Sequence, residues 1–287
     1  MNDAAPALVF DGVTLRYSAA HTPALADISL TIRSGEVTWL YGALGAGCTS
    51  LLLAAAGLAP GHTGGELSGS VRALGIDPHD PRGRAGLVGR IGFVTAVPAS
   101  QLSGVAATVR EEVAFAPANL GWPVGRIEAA AAAALERFGL TRLAERDPAH
   151  LSGGELQRVI VASMLALGPA LWLLDEPASA LDRAGRESLR SLLAAEAGRG
   201  AAVVIASEDA DTMLGVADRI VVLDGGRVAL DGPPASVLAG PAVWQHAGGS
   251  TAIAALARSA AGLAEPVPAA LLPPYPLTVD EGVARWS

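Results

Sequence analysis

The residues best suited to binding phosphate form a glycine-rich loop near the N-terminus. The glycines are Gly42, Gly45 and Gly47, and the residues that follow are Cys48, Thr49 and Ser50. The loop lies between an apolar run predicted as a strand, residues 37–41, and a leucine- and alanine-rich segment predicted as a helix, residues 49–57. Loop amides and a helix N-terminus can bind phosphate, and the Thr49 hydroxyl can reach Mg²⁺. The alternative is a purely structural glycine turn.

The loop departs from the phosphate-binding pattern G-x-x-x-x-G-K-[ST] at its lysine. Cys48 stands at that position, so the cation that bridges the β- and γ-phosphates during transfer is missing. All twenty basic residues of the chain are arginine. A bias against lysine alone would leave arginine, which keeps the charge. Charge-assisted hydrogen bonds are worth about 1.5 to 3 kcal/mol each, so we expect poor nucleotide retention and still poorer hydrolysis at this loop.

Two carboxylates form a second candidate group, at the end of the apolar run 171–175. Asp175 ends this predicted buried strand, where a carboxylate needs a partner such as hydrated Mg²⁺. Glu176 follows directly and is a candidate to polarise an attacking water. Thr49 and Asp175 are therefore the predicted Mg²⁺ residues. The alternative is an acidic strand-end turn without chemistry.

A third candidate is the segment Leu151-Ser152-Gly153-Gly154-Glu155-Leu156-Gln157-Arg158. Its residues 152–155 are predicted to open a helix whose free amides form an anion site. Together with Leu173-Leu174-Asp175-Glu176-Pro177, this segment resembles the signature and Walker B motifs of ATP-binding-cassette (ABC) ATPases. Such a pair at this separation does not arise by accident.

The resemblance implies a role for each candidate residue. It implies that Ser152, Gly153 and Gly154 grip the γ-phosphate of ATP bound to the opposite subunit, so that they act in trans. It implies Mg²⁺ at Asp175, water activation at Glu176, and a loop that crosses the dimer interface at residues 178–182.

A longer resemblance points to the energy-coupling-factor branch of the family, which drives vitamin or metal uptake. The matching residues are 91–94, Pro98, Gln101, 108–115 and 119–121. Two nucleotide-contacting positions depart from the pattern: Ala96 replaces a glutamine before Pro98, and Glu208 replaces a histidine after the strand 203–206. Tyr17 matches the adenine-stacking aromatic, although packing at a strand end explains it equally well.

The pattern of elements predicts an α/β fold, a P-loop ABC-type nucleotide-binding domain. We expect one domain over residues 7–245, with an N-terminal β lobe and an inserted helical subdomain at about 98–165. The β lobe is expected to begin with two strands, 8–10 and 13–17, divided by the turn pair Asp11-Gly12. Residues 246–287 are expected to form a short, partly disordered C-terminal extension.

Composition excludes several classes of function. A net charge of −8 argues against nucleic-acid binding. The single cysteine permits no internal disulfide and fits a reducing cytoplasm, and with five scattered histidines it indicates no metal cluster. The N-terminus lacks a signal-peptide pattern, and the longest apolar stretch, 159–174, is interrupted by Ser163, Gly168 and Pro169. We therefore expect membrane contact only through a partner.

The substitutions Cys48, Ala96 and Glu208 all fall on one nucleotide site, while the signature that serves the other site is kept. We therefore expect the degenerate ATP-binding subunit of an energy-coupling-factor-type importer, peripheral on the cytoplasmic face of the membrane. Its expected partners are a second ABC ATPase, a transmembrane coupling subunit and a substrate-binding membrane subunit. The isolated chain should be inactive or very weak. The alternatives are a non-hydrolytic scaffold and a soluble, non-transport ABC ATPase.

Overall fold

A computed structural model describes residues 5–240, 242–247, 255, 259 and 274–286. The strands are β1 (Pro6–Arg16), β2 (Leu25–Arg33), β3 (Val37–Tyr41), β4 (Glu66–Ala73), β5 (Ile91–Val94), β6 (Leu171–Asp175), β7 (Ala202–Ala206), β8 (Arg219–Asp224) and β9 (Arg227–Gly232). The helices are α1 (Cys48–Ala55), α2 (Pro81–Ala85), α3 (Val109–Asn119), α4 (Val124–Arg137), α5 (Gly153–Leu165), α6 (Arg183–Gly198), α7 (Ala210–Met213), α8 (Pro234–Ala239), α9 (Ala242–His246) and α10 (Val279–Trp286).

The central sheet has six strands in the order β5-β6-β7-β3-β8-β9. The first five are parallel, and β9 pairs with β8 in an antiparallel hairpin. Every residue of β3, β6 and β7 is buried, as expected for strands covered on both faces. The carboxyl ends of these strands carry the glycine loop, Asp175 and Ser207 to one edge of the sheet.

A separate antiparallel sheet of three strands, in the order β2-β1-β4, forms the N-terminal β lobe. The predicted division of its first strand at Asp11-Gly12 is wrong, because β1 is continuous from Pro6 to Arg16. The chain accommodates the turn pair as an irregularity: the register with β2 shifts between Phe10 and Val13, and Gly12 has a φ of 59°. A glycine at positive φ permits a bulge without ending the strand. Helix α1 packs between this lobe and the central sheet.

The inserted helical region contains α3 and α4, which pack against each other and against α5. Helix α3 begins with a capping box: the Thr108 hydroxyl accepts from the Glu111 backbone N–H, and the Glu111 carboxylate accepts from the Thr108 N–H. The buried faces of these helices join one core with β3, β6 and β7. This core fixes α5, and therefore the signature residues, relative to the sheet.

Most of the predicted extension 246–287 lies outside the described residues. In the part that is described, Leu277 is buried in the main core and the Tyr275 ring meets the Trp244 ring edge to face, with centroids 6.4 Å apart. Helix α10 follows, with the Glu281 N–H donating to the Thr278 hydroxyl. Tyr275 thus packs beside α9, and Leu277 packs into the main core.

Candidate functional site

The glycine loop is held in shape by close backbone contacts. Gly47 has a φ of 113°, and a Cβ there would lie 2.7 Å from the Ala24 carbonyl oxygen. A Cβ on Gly42 would lie 2.6 Å from the carbonyl oxygen of Leu223. The Gly226 N–H donates to the Ala46 carbonyl at 3.0 Å, which ties the loop to the β8–β9 turn. These positions therefore require glycine, and the loop keeps its framework without the lysine.

A cavity of about 280 Å³ opens above the loop. It brings together most of the predicted nucleotide and metal residues, namely Gly42, Gly45, Gly47, Cys48, Thr49, Ser50, Ala96, Asp175, Glu176 and Glu208. Tyr17 does not line this cavity, but its hydroxyl donates to the Ser50 hydroxyl at 3.1 Å. Residues 40–50 and the ends of β6 and β7 thus converge on one site, with Tyr17 beside it.

The side chain at the lysine position carries no charge at neutral pH. Burial, followed by the nearby Asp175 carboxylate, raises the pKa of the Cys48 thiol from 9.0 to about 12. The described cavity lining contains three carboxylates, Asp175, Glu176 and Glu208, and neither arginine nor histidine. The charge balance of this site is therefore the reverse of what a polyphosphate needs.

Asp175 and Thr49 form an oxygen-donor pair of the kind Mg²⁺ prefers. Asp175 is 5% exposed, and burial raises its pKa, while a hydrogen bond with the Thr49 side chain lowers it. A hydroxyl and a carboxylate so close together fit an Mg²⁺ ion that carries several waters. When bound, the ion would offset carboxylate charge and orient phosphate oxygens.

The Glu176 side chain is fixed on both of its oxygens. Oε1 accepts from the Glu208 backbone N–H at 2.8 Å, and Oε2 accepts from the Ser207 hydroxyl at 3.2 Å. Its backbone has a φ of 48°, an uncommon conformation for a residue other than glycine. Burial is the largest cause of its raised pKa, and the Glu208 and Asp175 carboxylates add to it. The predicted water-activating carboxylate is thus bound to the end of β7.

Two of the three predicted signature residues, Ser152 and Gly154, line a second cavity, of about 220 Å³, that shares no residue with the first, whereas Gly153 is exposed and is not part of its lining. Its lining consists of Ser152, Gly154, Glu155, Arg158, Ala180, Leu181 and Asp182. The Ser152 hydroxyl caps α5 by accepting from the Glu155 N–H, and Glu155 accepts from the Ser152 N–H at 2.8 Å. The structure therefore separates the signature from the glycine loop of the same chain.

The two signature glycines differ in the space around them. A Cβ on Gly154 would lie 2.9 Å from the Ala180 carbonyl oxygen, a backbone contact that cannot yield cheaply. A Cβ on Gly153 would lie 3.8 Å from the Ala180 Cβ, which is an ordinary contact. Gly154 is therefore needed for the fold, whereas Gly153 leaves room for a ligand or a side chain.

Sequence reasoning missed two features that organise the sites. Ser207 is 4% exposed; its hydroxyl binds Glu176 and its carbonyl accepts from the Trp39 indole N–H at 2.8 Å. Arg158 lines the signature cavity and supplies a cation there. The only signal for Ser207 was its place directly after a buried strand. Gln101, which sequence reasoning used only for the resemblance, closes the loop after β5 by bonding Thr95 N–H and Phe93 carbonyl, both at 2.8 Å.

Within the described ranges, no helix is long and apolar enough to cross a membrane. The same residues hold no cluster of histidine, cysteine or carboxylate side chains suited to a protein-bound metal. The Mg²⁺ considered above would thus depend on nucleotide and water for its other ligands.

Comparison with known proteins decides the family. The ABC transporter family model matches residues 25–179, a span that holds the glycine loop, the signature and both strand-end carboxylates. The chain belongs to the ABC transporter family. It has the ATPase fold of that family, because the solved structure of cbiO1 from Clostridium perfringens, described as part of the ABC transporter complex cbiONQ, matches 84% of the chain and 93% of its own length. That match has a TM-score of 0.71 at 30% identity.

Named relatives confirm the energy-coupling-factor resemblance of this ABC ATPase subunit. The nickel import ATP-binding protein NikO of Rhodobacter capsulatus is 38% identical over 84% of the chain and 95% of its own length. The energy-coupling factor transporter ATP-binding protein EcfA2 of Symbiobacterium thermophilum is 35% identical over 96% of the chain and 94% of its own length.

Proposed function

We propose that this ABC ATPase subunit is the degenerate member of an asymmetric ATPase pair in an energy-coupling-factor-type importer. Its own glycine-loop site holds nucleotide poorly or statically, and its signature completes a working ATP site on a second ATPase. The observation that carries the proposal is the contrast between the two cavities: one has three carboxylates, a neutral thiol and neither arginine nor histidine, while the other keeps Ser152 and Gly154 of the signature and places Arg158 beside Glu155 and Asp182.

Electrostatics supports a silent site at the glycine loop. The missing lysine removes a cation, and Glu208 adds an anion on the same cavity wall. Two unit charges 4 Å apart at an effective dielectric of 20 repel by about 4 kcal/mol before screening, so each carboxylate near a γ-phosphate opposes binding. Mg²⁺ at Thr49 and Asp175 offsets part of this charge. In addition, both carboxylate oxygens of Glu176 already accept hydrogen bonds, one from the Ser207 hydroxyl and one from the Glu208 N–H.

The proposed place for a phosphate from another subunit is the N-terminus of α5, where Gly153 leaves space. Arg158 supplies a cation on the wall of the adjoining cavity, next to the Glu155 and Asp182 carboxylates. The residues that line this cavity belong to the start of α5 and to the turn 180–182. None of the three substitutions at the glycine-loop site, Cys48, Ala96 and Glu208, is among them. A site that serves only its own chain has no use for a signature that lines a different cavity from its glycine loop.

Exposed apolar side chains in and beside the helical region support docking to a transmembrane coupling subunit. They are Val88, Val97, Val105, Phe115, Leu120 and Val124. Phe115 is 37% exposed and Val105 74%. Val113, two residues before Phe115, is fully buried and belongs to the core. Phe115 and Val105 are thus the better candidates for contact with the coupling subunit.

Membrane subunits would select the transported substrate, as the resemblance to the energy-coupling-factor branch implies. Relatives named for nickel and cobalt import make metal uptake the transport class to test first. The chain would then lie on the cytoplasmic face, held there by its partners.

Two other functions compete with this proposal. A scaffold that never supports hydrolysis has no need for a glycine at position 153, where the fold itself would accept a side chain. A soluble, non-transport ABC ATPase does not explain the relatives named for import. Purification of the chain with its natural partners tests all three: we expect a second ATPase and a membrane protein to co-purify. Recovery of the chain alone, or without an ATPase, would contradict the proposal.

A further inference from the structure

Arg186, on the first turn of α6, joins two loops that line different cavities. Its Nε donates to the Leu181 carbonyl oxygen at 3.1 Å, and its Nη1 donates to Asp209 Oδ2 at 2.8 Å. Leu181 lines the signature cavity, whereas Asp209 directly follows Glu208, which lines the glycine-loop cavity. One guanidinium group therefore holds a residue beside each site.

On the signature side, the contact continues through the backbone. The Ala180 carbonyl oxygen, one residue before Leu181, lies where only a glycine fits at position 154. Ala180, Leu181 and Asp182 all line the signature cavity. A displacement of the Leu181 carbonyl therefore changes the wall against which the N-terminus of α5 rests.

On the glycine-loop side, the path leads to Glu176. The Asp209 N–H donates to the Ser207 hydroxyl at 3.2 Å, and that hydroxyl donates to Glu176 Oε2. The Asp209 carboxylate also accepts from the Thr212 N–H at 3.0 Å and caps α7. The position of Arg186 is thus linked to the carboxylate of this chain's own site.

We propose that Arg186 is a positioning residue that couples the two cavities. Through its two hydrogen bonds, Arg186 fixes the turn 180–182 relative to residues 207–209. A change in the silent site of this chain would therefore change the geometry of the signature cavity, which serves the active site of the partner. This inference rests on the proposed function, in which the signature cavity serves the ATP of a partner subunit. Arginine suits the role because its planar fork donates in two directions at once, which a lysine ammonium on a flexible stem does not reproduce.

The test uses the assembled complex and compares Arg186→Met with Arg190→Met. Arg190 lies one turn later on α6 and pairs with Glu187, so it is a matched control. We expect Arg186→Met to lower kcat about tenfold, equivalent to about 1.4 kcal/mol in the barrier, with little change in the KM for ATP. The KM should hold because the partner's own loop binds the nucleotide. An unchanged kcat, or equal losses in both variants that follow their melting temperatures, would overturn the proposal.

Two further variants separate coupling from a general loss of stability. Arg186→Lys keeps the charge next to Asp209, yet we expect it not to restore kcat. Asp209→Asn keeps a side-chain oxygen to cap α7 but loses the ion pair. Combined with Arg186→Met, it should slow the complex no further than the slower single variant, since both break one link. Full rescue by lysine, or additive losses, would refute the coupling.

The outcome also separates this inference from the proposed function. If Gly153→Asp leaves the ATPase activity of the complex unchanged, the signature does not serve a partner and the proposed function fails. If Gly153→Asp abolishes activity while Arg186→Met has no effect, only the coupling by Arg186 fails.

Discussion

The Glu208 backbone N–H donates to Glu176 Oε1 at 2.8 Å, so the residue that replaces the family's histidine holds the predicted water-activating carboxylate through its main chain. The Glu208 side chain lines the same cavity, where its charge raises the pKa of Glu176 further, after burial. The substitution thus brings repulsion without removing the framework around Glu176. This arrangement supports the proposed silent site, because the framework around Glu176 is kept while a charge is added.

The first prediction is that the isolated chain has negligible ATPase activity, and that one substitution does not restore it. Cys48→Lys should strengthen ATP binding about tenfold or more, because it returns a charge-assisted contact worth about 1.5 to 3 kcal/mol. Hydrolysis should stay absent, since Ala96 and Glu208 remain. Nucleotide titration and phosphate release measure the two effects, with Cys48→Ser as the neutral control. Wild-type turnover that Glu176→Gln abolishes would show that the site is active as it stands.

The second prediction concerns the reactivity of Cys48. Its pKa of about 12, against an ordinary 9.0, lowers the thiolate fraction at pH 8 by about a thousandfold, and the thiolate is the reactive form. Alkylation should therefore be very slow in the folded chain and fast after denaturation. Because folding raises the pKa of Cys48, the neutral thiol contributes to the free energy of unfolding. This contribution is fully present below pH 9 and is lost as the pH rises towards 12. Rapid labelling of the folded chain at pH 8 would contradict the buried, neutral thiol.

The third prediction tests docking to a membrane subunit. Phe115→Asp should release the complex from membranes with little change in melting temperature, because this side chain is partly exposed. Val113→Asp should instead unfold the helical region, since it puts a charge in the core. Val279, an exposed valine on α10, gives the control Val279→Asp. Full membrane recovery of a folded Phe115→Asp complex would move the contact to another surface.

Local patterns made much of the site predictable. The glycine spacing between a strand and a helix placed the loop, and the acidic pair after an apolar run placed Asp175 and Glu176. The capping box at the start of α3 is likewise formed by residues within four positions of sequence, Thr108 and Glu111. These predictions succeeded because the interactions that decide them are near in sequence.

Other features depend on contacts between distant parts of the chain. The bond from Ser207 to Glu176 spans 31 residues, and that from Arg186 to Asp209 spans 23. No local pattern specifies such a pair, because the sheet order brings it together. The continuity of β1 was missed for a related reason: pairing on both sides, with β2 and β4, carries the strand through a turn-like dipeptide.

The measurement that tests the central claim most directly compares Glu176→Gln with Gly153→Asp in the assembled complex. Glu176→Gln alters a site that already lacks its cation, so the complex should keep most of its ATPase activity. Gly153→Asp places a charge where the partner's γ-phosphate docks, in a position with room for a side chain, so activity should collapse while the complex still assembles. Equal damage by both variants would show that this chain's own site is catalytic, and no damage by either would show that the signature serves no ATP site.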